Sequence, residues 1–155
     1  MRNDAFQRAA DAAGFAFDDP VAVGGRYTPL LRDGGTVWIS GQVPRMGSTV
    51  AVTGRVGERV DLAQAQRAAR ICTLRALALL QREFGSLSRV RQVLRITVYV
   101  QSAADFTQQS EVADAASDLL VEVLGAAGRH TRTSVGVYQL PKDASVELDL
   151  VAAVD

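Results

Sequence analysis

The sequence predicts an α+β fold in which two long helices pack on one face of a β-sheet, with a short helix ahead of them. Three observations carry this expectation. Leu62, Ala65, Ala69, Cys72, Ala76, Leu79, Leu80 and Phe84 recur at helical spacing between Asp61, a candidate N-cap, and Gly85, a candidate stop. Residues 90–100 and 145–153 are rich in β-branched side chains and alternate apolar with polar positions. Between them a second helical pattern runs through Val112, Leu119, Leu120 and Val123.

Taken in chain order, Phe6, Ala9, Ala10 and Ala13 give residues 4–13 an apolar stripe, and Gly14 supplies a left-handed end. After Asp18-Asp19-Pro20 come short extended pieces: around Ala22 and Val23, over residues 27–31, and over 36–40 beyond the Arg32-Asp33-Gly34-Gly35 turn. A loop over 44–48 and a strand over 50–53 precede the long helix. The second helix is expected to start within Ser102-Ala103-Ala104-Asp105 and to end at Gly125. A strand then opens at Arg132, and Leu140-Pro141-Lys142-Asp143 turns it into the last strand.

At 155 residues the chain suits one domain, divided here into a helical extension over 1–20 and a single domain over 21–155. Its 17 basic and 17 acidic residues balance, so no nucleic-acid partner is expected. No apolar run approaches the ~20 residues of a membrane span. The alanine-rich helical pattern after Met1-Arg2-Asn3-Asp4 is unlike a signal peptide, and a cytoplasmic location is expected. Cys72 has no second cysteine to pair with, and with His130 alone beside it no metal site of soft ligands is expected.

The most informative stretch is 132–147, which opens on an arginine and ends on Glu147 of the following strand. A guanidinium matches both oxygens of a carboxylate, so an arginine held on a strand suits a small organic acid. A nearby glutamate could then act on water. Strand parity places Leu94, Ile96, Val98 and Val100 on one face and Val93, Arg95, Thr97 and Tyr99 on the other. Two helices cover one side of such a sheet, so self-association over the remaining face is expected.

Tyr27, Ser40-Gly41-Gln42-Val43-Pro44, Asp105-Phe106 and the 132–147 run with Leu140-Pro141-Lys142 together resemble the Rid family, also called YjgF or L-PSP-type proteins. The likeness spans residues 21–153. It implies a chorismate-mutase-like mixed sheet, a homotrimer with ligand clefts between subunits, and cofactor-free enamine/imine deaminase activity. The substrates implied are reactive 2-imino acids such as 2-iminopropanoate and 2-iminobutanoate, hydrolysed to 2-oxo acids and ammonia. Carried over, the family's arginine falls on Arg132, its glutamate on Glu147, its tyrosine on Tyr27 and its Ser-Gly pair on Ser40 and Gly41.

On that resemblance Arg132 holds the substrate carboxylate, Glu147 accepts a hydrogen bond from the attacking water, Tyr27 closes the pocket, and backbone N–H groups near Gly41 and Ser134 anchor the acid. The chain departs from the family pattern at Ser134, where a cysteine is usual, at Ser110, where an asparagine is usual, and at Gly136 in place of a glutamate. The helix ahead of the domain matches a less characterised branch. A non-catalytic receptor for small carboxylates stays open as an alternative, with ribonuclease or translation-inhibitor action behind it.

Structural explanations stand beside these roles. Arg132 also suits an ion pair, Glu147 a solvated stripe with Asp149, Tyr27 packing, and Ser40-Gly41 strand punctuation. Cys72 falls on the apolar stripe of its helix and reads as core. Arg67, Arg70, Arg75 and Arg82 read as a solvated helix face. His130 lies near Ser134 in sequence, but adjacency supplies neither triad geometry nor an oxyanion hole.

Overall fold

The structure is a computed structural model and describes residues 1–16 and 23–155. Five strands form one sheet in the order β1 (Leu30–Asp33), β2 (Thr36–Gln42), β7 (Val146–Val154), β5 (Val90–Gln101) and β6 (Thr131–Val137). All neighbours are antiparallel except β5 and β6. That parallel pair needs a crossover, which α3 (Gln109–Leu124) provides. A small hairpin of β3 (Arg45–Met46) and β4 (Thr49–Val50) occupies part of the expected loop and following strand.

The long helix α2 (Leu62–Phe84) has the predicted ends. Asp61 accepts from the Gln64 backbone N–H, and the Gln64 side chain accepts from the Asp61 N–H, a reciprocal cap worth about 1 kcal/mol. Gly85 closes it at φ 77°. Ile71, Leu74, Leu77 and Leu80 of α2, Leu119 and Leu120 of α3, Ile96 of β5, and Leu148 and Leu150 of β7 are buried together. The short helix α1 (Arg2–Ala12) adds Phe6, Ala9 and Ala10 to the same cluster, and Arg2 donates to the Leu87 and Val90 carbonyls.

Several expectations change. The piece around Ala22 and Val23 lies partly outside the described residues, and Val23 belongs to no strand. The strand expected from Tyr27 begins only at Leu30. The second helix starts at Gln109; Ser102 and Ala103 instead continue the extended pairing of β5, their N–H groups bonded to the Val137 and Val56 carbonyls. In β5 the register shifts between Val90 and Gln92 and again between Val93 and Arg95. The extra residues invert the expected parity there, so Val93 is buried and Leu94 is exposed.

Beyond the bulges the alternation holds. Val146, Leu148, Leu150 and Ala152 point into the helix-covered core, while Glu147, Asp149 and Val151 line the other face. Trp38, Leu31, Leu94 and Val135 are exposed, and Trp38 pairs with Val151 on the face opposite the core.

Candidate functional site

The cleft forms where β2 ends against β7. Pairing between these strands slips between Ile39 and Gln42, and Gly41 falls in the irregular stretch beside Glu147. A β-carbon at position 41 would overlap Glu147 Oε1 and stand 2.9 Å from its Cδ, so only glycine lets that carboxyl lie across the strand. Glu147 is half-buried. Burial pushes its pKa above the ordinary carboxylate value, and the charge of Asp149 on the same face adds to this.

Tyr27, Gly41 and Glu147 share this cleft of about 150 Å³ with Pro29, Val43, Arg45, Arg75 and Lys142. A water occupies about 30 Å³ of liquid volume, so there is room for a small organic acid and a water. Ser40 stands behind the wall. Its hydroxyl donates to the Thr28 carbonyl at 2.8 Å and its N–H to the Pro29 carbonyl at 2.9 Å, fixing the segment that carries Tyr27.

Arg75 is the residue that the sequence reading misplaced. It is buried, not solvated, and donates from Nε to Gln42 Oε1 at 3.1 Å and from Nη1 to the Arg45 carbonyl at 3.1 Å. Burial lowers its pKa. The clamp joins the ends of β2 and α2's neighbour β3, framing the cleft. Its signal was present: Arg75 is the one charged residue in the apolar run 71–80.

The opposite wall is the turn after β6. Lys142 and Asp143 both take left-handed conformations, φ 60° and 58°, which cost non-glycine residues on the order of 1–3 kcal/mol each. The Asp143 carboxylate accepts from Gln101 Nε2 at 3.1 Å and from Arg59 at 2.6 Å, and its carbonyl accepts from the Gly54 N–H at 2.9 Å. The Gln101 bond, then Arg59, holds its pKa below the ordinary value.

Arg132 lies elsewhere, contrary to expectation. It pairs with Ile96 in parallel register and therefore projects to the helix side, whereas Glu147 pairs with Tyr99 on the open side. Its guanidinium is neutralised within its own protomer: Nη1 donates to Asp114 Oδ1 at 2.9 Å and Ser117 Oγ at 3.0 Å, and Nη2 to Ser110 Oγ at 2.8 Å. Ser110 thus joins Arg132, not Glu147. Ser134, next on that face, keeps its Oγ buried without a hydrogen-bond partner among the described residues. His130 does not meet Ser134: its Nδ1–H donates to the Gly128 carbonyl, leaving Nε2 to accept from Ser117.

Cys72 is fully buried, and burial pushes its thiol pKa far up, so it is core. Among the described residues no group of His, Cys, Asp or Glu is placed to hold a metal, and no helix is long and apolar enough to cross a membrane.

Comparison with known proteins gives a family match over most of the chain. A family model described as "YjgF/chorismate mutase-like, putative endoribonuclease" matches residues 8–153. Protein TCP17 of Trypanosoma cruzi is 38% identical over 130 residues, which cover 83% of this chain and 81% of that protein. The crystal structure of Atu1372 from Agrobacterium tumefaciens, a protein of unknown function, superposes with a TM-score of 0.89 at 39% identity, covering 99% of this chain and 95% of that one. A "putative endoribonuclease" from Shewanella oneidensis superposes with a TM-score of 0.88 at 29% identity, covering 96% and 99%.

Proposed function

The chain belongs to the YjgF/chorismate mutase-like family, the Rid proteins, and from that premise we propose that it hydrolyses 2-imino acids and their enamine tautomers to 2-oxo acids and ammonia. The observation that carries the proposal is the Glu147 carboxyl, half-buried at a small cleft beside Gly41 and Tyr27 with its pKa raised. A carboxylate there accepts a hydrogen bond from water and aims the water oxygen at the C=N carbon. The C–O bond forms as the nitrogen takes up a proton. The resulting carbinolamine then breaks its C–N bond, and the proton from its hydroxyl leaves with ammonia. The raised affinity of Glu147 for protons suits it to carry that proton between the two steps.

Arg132 serves this cleft only if a second copy brings it there, since in one protomer the sheet lies between them. The Asp114 partner is 58% exposed. Arg132 itself is 21% exposed, so an incoming carboxylate has to compete with Asp114 for the guanidinium. Self-association belongs to the proposal: the open sheet face exposes Trp38 and Val135, and a further copy would cover it. Sedimentation is expected to give a species of three 16.5 kDa chains; a stable monomer at micromolar concentration contradicts the shared cleft.

The direct assay generates 2-iminopropanoate or 2-iminobutanoate enzymatically and follows its loss with and without added protein. Accelerated loss is expected for at least one, with Arg132→Ala weakening apparent affinity about tenfold or more. No acceleration of either removes this substrate class. In a second reading the cleft binds 2-oxo acids without turning anything over; calorimetric binding of 2-oxobutanoate without catalysis would mark it. Ribonuclease action, named for the Shewanella protein, gains little, because the single histidine is engaged by Gly128 and Ser117.

A further inference from the structure

We propose that the Glu147 cleft selects substrates carrying a second acidic group, recognised by Arg45 and Lys142. This rests on the imine-hydrolysis reading and deepens it by naming the substrate class, 2-imino dicarboxylates. Arg45 opens β3 with its backbone fixed, because its carbonyl accepts from Arg75 Nη1. Its guanidinium rests against Gly24, with Nη2 3.6 Å from where a β-carbon of that glycine would stand. Among the described residues the Arg45 guanidinium makes no hydrogen bond or ion pair, and it is only partly exposed.

Lys142 faces the same cleft from the strained turn, and its ammonium likewise has no partner among the described residues. The turn is held by the grip of Arg59, Gln101 and Gly54 on Asp143, so it fixes where the Lys142 side chain starts. Arg75 adds a buried positive charge close enough to Arg45 for the two to repel. Glu147 is the one acid among the described lining residues, and none of these cations hydrogen-bonds to it.

A monocarboxylic imine, with its acid group held for attack near Glu147, leaves Arg45 and Lys142 without a counter-charge in a partly enclosed space. A second carboxylate on the substrate supplies one, and a guanidinium fork is shaped to receive it. The same charges predict that a side chain ending in an ammonium is rejected.

The test compares imines of glutamate and alanine, generated in situ by amino-acid oxidases, with the wild type, Arg45→Met and Lys142→Met. The expected result is a wild-type preference of at least tenfold in kcat/KM for the dicarboxylic imine, narrowed by tenfold or more in Arg45→Met and less in Lys142→Met. No preference, or an equal effect of both variants on both imines, overturns the inference while leaving imine hydrolysis standing. If neither imine is hydrolysed faster, calorimetry decides. Tighter binding of 2-oxoglutarate than of 2-oxobutanoate, lost in Arg45→Met, upholds the recognition; equal binding or none refutes it.

Discussion

Glu147→Gln is expected to lower kcat/KM for 2-iminobutanoate by about 10²–10⁴-fold, the range for removing a positioned general base. Glutamine keeps the volume and one acceptor oxygen, so the cleft stays filled while the proton-carrying role is lost. The pH behaviour separates this from damage to the fold. Hydrolysis needs the carboxylate form, and burial with the charge of Asp149 raises the Glu147 pKa, so the acid limb of the wild-type rate profile lies above the ordinary carboxylate range. Between its unfolded and its raised folded pKa, Glu147 binds more proton in the folded state. Stability therefore falls as pH rises through that window. The glutamine variant lacks this slope and is expected to be at least as stable as the wild type at neutral pH. Lost activity with undiminished stability, followed by urea unfolding across pH, marks a catalytic role; equal activity removes Glu147 from the mechanism.

Gly41→Ala is expected to cost at least about 100-fold in kcat/KM and about 1–3 kcal/mol of stability, the range for overpacking. The backbone tolerates alanine there, since Gly41 is not among the glycines with positive φ. The whole effect is therefore steric: the new methyl would occupy the place of the Glu147 carboxyl, with Cγ only 3.2 Å away. Combining it with Glu147→Ala removes the obstructing atoms, so the stability cost of Gly41→Ala should largely vanish in that background. Additive costs would show that Gly41 serves the strand and not the carboxyl.

The helices and strands were legible because their signals are local and repeated. Asp61 and Gly85 bound α2 as their chemistry requires, and alternation along residues 146–152 sorted the faces of β7 correctly. Parity failed at Leu94, where bulges insert residues that no propensity announces. The start of α3 was misplaced because Ser102 and Ala103 continue extended pairing with Val137 and Val56, partners remote in the chain.

Within the site, Tyr27, Gly41 and Glu147 do come together, although they lie far apart in the chain. Arg132 does not join them in one protomer. Its short sequence separation from Glu147 hides two facts of topology: β5 lies between their strands, and their registers point them to opposite faces. Arg75 was missed because its neighbours Arg67, Arg70 and Arg82 suggested a charged stripe, when the apolar run around it was the better guide.

Whether Glu147 directs water at a bound acid is decided by a crystal structure of the assembled protein soaked with 2-oxobutanoate. The acid is expected in the cleft bounded by Tyr27 and Gly41, with an ordered water hydrogen-bonded to Glu147 and directed at the carbonyl carbon. An empty cleft, or a bound acid from which Glu147 is turned away with no water between them, contradicts the hydrolytic role.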